Sequence, residues 1–369
     1  MAFVYPYLSR ISGSRSPLSI AAALSKDNEV DIFTYSVRGD FIDTVRRIAG
    51  SSNFYYYNKI DGPRFGLIFS LRYQVMRGID RFLYRKIMDK HLKNPYDIVI
   101  VGSNEGRNIG QYFKTEKMER RPVTAIILME LHDHGFHMHY ERSLGVLRYL
   151  AWPIYPLVNV VERWRFNRYD LIYANSSWTA TIFQYLYGID VAGALPALAH
   201  EDITINSDED QNYVAVPTVS LGKEHAEIIM RLFRDGIRMK CFGPRKLEMK
   251  EYVGFVDDSE RLRIMANARV TLFLFDYEAL GLIPLESLSL GTPVVTIPKE
   301  GPYEELRNCS DVYFARSYLE IKGKLLDILS YPKDQETISR CKTYSLRFSP
   351  ESSAKKIVES YCGIERREN

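Results

Sequence analysis

Residues 270–306 read VTLFLFDYEALGLIPLESLSLGTPVVTIPKEGPYEEL, and they contain a strand, a loop and a helix in close succession. The apolar run 270–275 predicts a buried strand, and the polar residues after it predict a short loop. Proline is favoured at the first position of a helix, so Pro284 predicts a helix over about residues 284–290. A strand that leads into a helix is the repeating unit of parallel α/β sheets.

The loop between this strand and helix carries groups suited to a nucleotide-sugar. The amides of Gly281 and Leu282 would lie at a helix N-terminus, where free N–H groups and the helix dipole attract phosphate. Glu286, early in the helix, is placed to accept hydrogen bonds from a vicinal diol, and Glu278 from a second polyhydroxylated group. A diphosphate flanked by two sugars is a nucleotide-sugar.

The same alternation extends over the whole chain and predicts an α/β fold with parallel sheets. The predicted strands are residues 2–5, 30–34, 54–57, 97–101, 123–129, 171–174, 213–216, 239–242, 252–255, 270–275 and 293–297. The predicted helices are residues 16–25, 69–91, 106–117, 144–166, 179–187, 223–234, 259–267, 284–290 and 350–361. The irregular segment 188–211 separates two runs, so we expect two doubly wound domains with ligands at the carboxyl ends of the strands.

Composition agrees with two globular domains and limits the classes of partner. The chain has 369 residues and a formal net charge of +3, which gives no reason to expect nucleic-acid binding. The four cysteines have no CxxC spacing and predict reduced, mostly buried thiols of an intracellular protein. We expect no signal peptide, because the N-terminus runs into polar sequence after a short apolar stretch, and no membrane span, because the most apolar segment, 145–161, contains two prolines and an arginine.

In the order of its features, the segment 270–306 resembles the donor-binding segment of GT-B glycosyltransferases of family 4, the glycosyl transferases group 1. The signature of that family is a pair of glutamates separated by seven residues. The spacing alone is not specific here, since Glu201 and Glu209 also match it. The surrounding Gly-Leu step, the Gly-Thr-Pro-Val-Val run and the later Gly-x-x-Glu-Glu make the resemblance specific.

The resemblance implies a GT-B fold of two Rossmann-like domains that face an interdomain cleft. We expect an acceptor-side domain over 1–195, a linker over 196–212 and a nucleotide-sugar-binding domain over 213–345. The last segment, 346–369, is expected to form a helix that crosses back to the first domain.

The resemblance also implies roles for residues of the second domain. Glu278 would contact the donor-sugar hydroxyls, Gly281 and Leu282 the diphosphate, and Glu286 the ribose. Glu305, or Glu304 beside it, would border the same pocket. Backbone atoms around Gly254 and Val256 would contact the base, so their side chains do not indicate which base is bound.

The family also carries an arginine and a lysine after the first strand of this domain, which neutralise the departing diphosphate. Lys223 matches the lysine, although a solvated lysine is the alternative. The arginine position falls near Pro217 and Thr218 and is not basic. We expect another cation, such as Arg245 or Lys246, to replace it, or a less stabilised leaving group.

In the first domain the resemblance implies roles for Gly13 and His132. Gly13 would let the backbone approach the phosphates or the acceptor, and His132 would face the donor sugar. His132 lies in a segment with four of the seven histidines, so a zinc site is an alternative. No acidic or Cys spacing accompanies these histidines, and this fold normally works without metal, so we expect no metal and no other cofactor.

Two basic, aromatic stretches suggest contact with anionic lipid. Residues 64–93 carry eight Lys or Arg against two Asp, with apolar residues at helical spacing, and residues 148–168 add two tryptophans and several arginines. Core-facing helices with solvated basic faces are the alternative. We expect a cytoplasmic protein, which lipid contact would place at the inner membrane face.

Together these features predict a retaining glycosyltransferase (EC 2.4, hexosyltransferase type) that moves a sugar from a nucleoside-diphosphate sugar to a glycan or lipid-linked glycan. The alternatives are a GT-B-fold sugar-nucleotide epimerase, a phosphorylase with a pyridoxal lysine, or a non-catalytic nucleotide-binding protein at a membrane surface. A nicotinamide-dependent enzyme is disfavoured, because no G-x-G-x-x-G follows a first strand.

Overall fold

The computed structural model of the chain describes residues 1–8, 13–60, 96–106, 109–110, 121–129, 155–198 and 211–368. The chain divides into two compact units, Met1–Ala199 together with Pro350–Asn369, and His200–Ser349. The described residues of each unit form one parallel sheet, as the alternation predicts.

The first unit has a seven-stranded sheet in the order β3-β2-β1-β4-β5-β6-β7. Its strands are β1 (Ala2–Leu8), β2 (Asp31–Arg38), β3 (Asn53–Ile60), β4 (Ile98–Val101), β5 (Val123–Leu128), β6 (Leu171–Ala174) and β7 (Gly193–Ala194). Its first helices are α1 (Arg15–Leu24), α2 (Ile42–Ala49), α3 (Tyr155–Phe166) and α4 (Ser177–Tyr187). The central strand β4 is buried along its whole length, which fits a parallel sheet covered on both faces.

The second unit has a six-stranded sheet in the order β10-β9-β8-β11-β12-β13. Its strands are β8 (Gln211–Pro217), β9 (Met239–Phe242), β10 (Tyr252–Gly254), β11 (Ala268–Phe273), β12 (Val294–Thr296) and β13 (Val312–Phe314). Its helices are α5 (Lys223–Arg234), α6 (Asp258–Ala266), α7 (Leu282–Ser289), α8 (Glu300–Leu306), α9 (Tyr318–Leu329) and α10 (Gln335–Ser345). The strand order reverses between β8 and β11, so the loops after these two strands diverge at a topological switch point.

The last helix, α11 (Pro350–Glu368), packs on the first unit. Ala354 and Ile357 join the hydrophobic core that contains α1 and β1. The Ser353 hydroxyl donates to the Pro196 carbonyl at 3.3 Å. The end of the sequence therefore completes the core of the unit that its beginning forms.

Most predicted elements agree with the structure to within a few residues, and helix α7 is an informative exception. It begins at Leu282, so Pro284 is its third residue and not its first. A proline is tolerated there because the first turn of a helix has no internal acceptors for its amides. The predicted helix 69–91 and nearly all of 106–117 lie outside the described residues.

Within the described residues, no helix is long and apolar enough to cross a membrane. The four cysteines are free thiols, and three of them, Cys241, Cys309 and Cys341, are buried.

Candidate functional site

Several of the residues predicted to bind the donor lie in the loops and helices that follow β8 and β11. The loop after β8 and the loop after β11 are joined by a hydrogen bond of 2.8 Å from the Asp276 amide to the Ser220 carbonyl. Helix α5 starts from the first loop and helix α7 from the second. Two helix N-termini, each with a partial positive charge, therefore lie at one edge of the same sheet.

Gly281 precedes helix α7 in a conformation that only glycine adopts easily. Its φ is 91°, and a Cβ atom there would lie 2.9 Å from Cγ of Pro302. The Gly281 amide donates to Oε1 of Glu278 at 3.2 Å. Among the described residues no group accepts from the Leu282 or Ile283 amides, which leaves two donors for an anion.

Glu278 is thus a cap of helix α7 as well as a candidate sugar ligand. Burial raises the pKa of the Glu278 carboxyl above its ordinary range. Hydrogen bonds from the amides of Gly281 and Leu280 lower it in part, and the neighbouring Glu300 carboxylate raises it further.

The acidic side chain that the structure brings to Glu278 is Glu300, which the sequence did not single out. Oε2 of Glu300 accepts from the Glu278 amide at 2.8 Å. Glu305 lies in the last turn of α8, where its carbonyl accepts from the Tyr344 hydroxyl at 2.9 Å. Glu304 pairs with Arg307 at 3.2 Å. The Gly-x-x-Glu-Glu motif singles out Glu304 and Glu305, which follow Glu300 in the sequence.

Glu286 extends from the second turn of α7 into an ion pair with Arg261 of helix α6. Both carboxylate oxygens are engaged, one of them at 3.0 Å from Nη2. Both side chains are largely buried, with exposed fractions of 15% for Arg261 and 14% for Glu286. Arg261 therefore orients the carboxylate predicted to hold a ribose. The sequence analysis did not identify Arg261, because its partner Glu286 lies far along the chain.

At the start of α5, Gly222 makes room for an acidic side chain. A Cβ atom on Gly222 would lie 1.9 Å from Oδ1 of Asp276. The same oxygen lies 3.0 Å from Nδ1 of His225. Lys223, the predicted diphosphate ligand, is the first residue of the helix that follows. Cationic and acidic groups therefore alternate around this N-terminus.

Arg245 extends from the loop after β9 into the loop after β8. Its Nη1 donates to the Leu221 carbonyl at 2.6 Å, and its backbone amide donates to Oγ1 of Thr218 at 3.2 Å. Thr218 itself is buried. Of the two cations considered as replacements for the missing arginine, Arg245 is held beside Thr218, whereas Lys246 is exposed.

The predicted base-binding segment lies at the end of β10. Gly254 has a φ of 89°, and its carbonyl accepts from the Gly243 amide at 2.9 Å. Val256 packs against the small core that includes Tyr213 and Met265. The side chain between them, Phe255, is 59% exposed, so this corner offers an uncovered aromatic surface.

The predicted residues of the first unit are only partly described. Gly13 lies in a turn just before α1, whereas His132 and the neighbouring histidines lie outside the described residues. In the part of the chain that the structure describes, no group of three or more His, Cys, Asp or Glu side chains could hold a metal ion.

Residues 246–345 match the sequence profile of the family described as Glycosyl transferases group 1. The matched segment is a glycosyl transferases group 1 domain. The resemblance drawn from residues 270–306 is thereby confirmed. A comparison with curated proteins gave no match for the chain that carries this group 1 domain.

Solved structures similar over the full chain show the fold around the group 1 domain. Sucrose-phosphate synthase from Thermosynechococcus elongatus is 11% identical, with 100% of both chains covered and a TM-score of 0.69. Anabaena HepE in complex with UDP and glucose is 14% identical, covers 97% of this chain and 98% of its own, and has a TM-score of 0.62. The structure described as trehalose-6-phosphate from E. coli bound with UDP-2-fluoro glucose is 9% identical, covers 98% and 99%, and has a TM-score of 0.64. The fold of two doubly wound α/β units is GT-B, as predicted.

Proposed function

We propose that this protein transfers a sugar from a nucleoside-diphosphate sugar to an acceptor hydroxyl. The observation that carries the proposal is the start of helix α7. Two open amides, those of Leu282 and Ile283, lie between a carboxylate before the helix, Glu278, and a carboxylate within it, Glu286. This order of groups suits a diphosphate with a sugar on one side and a ribose on the other.

The chemistry follows from where charge develops. As the bond between the sugar and the diphosphate breaks, negative charge grows on the leaving oxygens. Lys223, Arg245 and the open amides of α7 are the groups that would stabilise it. We propose retention of configuration, with the acceptor attacking from the leaving-group side and the diphosphate oxygens taking its proton. We also propose that His132, which lies outside the described residues, contacts the donor sugar.

The donor class has further support in the comparisons. The HepE structure contains UDP and glucose, and the E. coli structure contains UDP-2-fluoro glucose. We propose that the reaction needs neither a metal nor another cofactor, because Lys223, Arg245 and the open amides of α7 would supply the positive charge that the leaving diphosphate requires.

For the acceptor, we propose a glycan or lipid-linked glycan, reached from the cytoplasmic face of an anionic membrane. Stretch 64–93 lies outside the described residues, but α3 belongs to stretch 148–168. On α3, Val160 is 64% exposed and Trp164 is 46% exposed, and Arg168 lies 4.3 Å from the centre of the Trp164 ring. Exposed apolar and aromatic side chains beside arginine are typical of surfaces that bind anionic lipid.

The proposal is tested by a panel of nucleotide-sugars, with binding followed by thermal stabilisation and calorimetry. A ligand bound only by the native state raises the melting temperature. For each ligand that binds, incubation with glycan and lipid-linked acceptors should yield a product whose anomeric configuration, read by NMR, is that of the donor. Failure of all nucleotide-sugars to bind would refute the proposal. Donor epimerised at C2 without transfer would instead favour the epimerase.

A further inference from the structure

Glu300 has a backbone conformation that residues other than glycine rarely adopt. It begins helix α8 with a φ of 54°, and Ser220 is the other described non-glycine residue with a positive φ. Such a conformation costs free energy, and it persists only where the surroundings enforce it.

Close backbone contacts between two loops enforce it. A Cβ atom on Gly301 would lie 2.0 Å from the Ala279 carbonyl oxygen, and the Gly301 amide donates to the Glu278 carbonyl at 3.2 Å. Pro302 in turn packs against Gly281. The loop before α7 and the start of α8 are therefore in close backbone contact. This contact holds the Glu300 carboxylate beside the Glu278 amide.

One oxygen of this carboxylate is left without a hydrogen bond. Only 6% of the Glu300 side chain is exposed. Oε2 accepts from the Glu278 amide, whereas Oε1 accepts no hydrogen bond from the described residues, although Nζ of Lys299 lies 3.0 Å away. This ion pair compensates the charge of Oε1 but supplies no hydrogen bond to it, so a hydroxyl that donated to Oε1 would add a hydrogen bond that the described residues do not provide.

The charges around Glu300 indicate which kind of group would supply that donor. The Glu300 carboxylate pairs with Lys299, whose ammonium also donates to the Asp276 carbonyl, and Glu300 lies near enough to the Glu278 carboxyl to raise its pKa. A third carboxylate at this place would be repelled, because the negative charge of Glu278 and Glu300 already exceeds the single positive charge of Lys299. A neutral hydroxyl adds a donor and no charge.

We propose that Glu300 accepts a hydrogen bond from a hydroxyl of the donor sugar and, together with Glu278, selects neutral hexoses over uronic acids. The assignment depends on the proposed function, since it places the donor sugar between Glu278 and the start of α8. It makes Glu300 a specificity-determining residue of the donor site.

The test compares the wild type with Glu300→Gln and Glu300→Gly. Calorimetry measures the Kd of UDP, UDP-glucose and UDP-glucuronate, or of the GDP, GDP-mannose and GDP-mannuronate series if the panel identifies guanine. The wild type should bind the hexose better than the uronate. In Glu300→Gln, hexose affinity should fall about tenfold, the expected loss for one hydrogen bond to a charged acceptor, and uronate discrimination should shrink by a similar factor. The Kd of the nucleotide without sugar should not change.

Glu300→Gly separates binding from structure, because glycine accepts the positive φ. Its melting temperature without ligand should change little, because relief of the positive φ offsets the lost hydrogen bond from the Glu278 amide, while its hexose affinity falls as in Glu300→Gln. Glu336→Gln is the matched control, since Glu336 pairs with Arg340 at 2.9 Å and its side chain is 80% exposed.

Three outcomes overturn the assignment. If Glu300→Gln keeps both hexose affinity and uronate discrimination, Glu300 does not read the sugar, and the proposed function stands. If it loses affinity for UDP or GDP itself to the same extent, its role lies in nucleotide binding or structure. If the wild type binds no nucleotide-sugar, the proposed function fails, and this assignment fails with it.

Discussion

Helices α5 and α7 begin at the same edge of the same sheet, each after a glycine, and yet the two N-termini are built differently. At α7, backbone contacts fix the preceding loop, and the Glu278 carboxylate caps the helix. At α5, side chains surround the N-terminus, with Asp276 over Gly222 and Arg245 on the Leu221 carbonyl.

The difference indicates a division of labour. The rigid start of α7 is suited to recognition, because it holds amides and carboxylates at fixed positions. The start of α5 is suited to charge compensation, because Lys223 is its first residue and the Arg245 guanidinium is held on the Leu221 carbonyl just before it. Substitutions at the two N-termini should therefore affect stability, binding and rate differently.

If backbone contacts fix the start of α7, Gly301→Ala should cause the largest loss of stability. Its Cβ would meet the Ala279 carbonyl oxygen at 2.0 Å, and backbone cannot move aside cheaply. We expect the free energy of unfolding to fall by about 3 kcal/mol, measured by urea denaturation. Gly222→Ala should cost less, because its Cβ meets the movable Asp276 side chain. Equal losses in both variants would contradict the contrast.

If α7 recognises the nucleotide, Glu286→Ala should weaken nucleotide-diphosphate binding. We expect a loss of about 2 kcal/mol, roughly 30-fold in Kd, because hydrogen bonds between the carboxylate and the ribose are removed. Calorimetry with the nucleotide diphosphate that stabilises the wild type gives the value. An unchanged Kd would remove Glu286 from the ribose site.

If α5 supplies the compensating charge, Arg245→Met should slow transfer. We expect the rate to fall about tenfold, because a cation no longer faces the leaving diphosphate. Lys246→Met is the neighbouring control, since Lys246 is exposed, and it should change the rate by less than about twofold. A larger effect for Lys246 than for Arg245 would show that Lys246, and not Arg245, replaces the missing arginine.

The smallest expected effect concerns Glu278 and pH. Burial raises the pKa of Glu278 in the folded state, so the folded protein holds this proton to higher pH than the unfolded chain, in which the pKa is about 4.3. The stabilisation is complete below about pH 4.3 and is lost as the pH rises through the folded-state value. The wild type should therefore lose stability relative to Glu278→Gln over this range. Denaturation curves at several pH values measure the difference, and a constant difference would contradict the raised pKa.

Much of the second unit could be predicted from the sequence, because its strands are apolar runs between clear turn residues. Strand β13, Val312–Phe314, could not, since three residues with two partly exposed side chains give no period. In the site, Glu278, Gly281 and Glu286 follow from local order along the chain. Arg261 and Glu300 could not be predicted in this way. Arg261 belongs to the site only through its ion pair with the distant Glu286, and Glu300 only through a backbone angle that no residue pattern reveals.

The central claim is that a diphosphate binds at the start of α7 between Glu278 and Glu286. A crystal structure with the bound nucleotide-sugar tests it most directly. The account predicts diphosphate oxygens about 2.9 Å from the Leu282 and Ile283 amide nitrogens, with ribose hydroxyls on Glu286. A nucleotide bound elsewhere, with both amides still open, would contradict it.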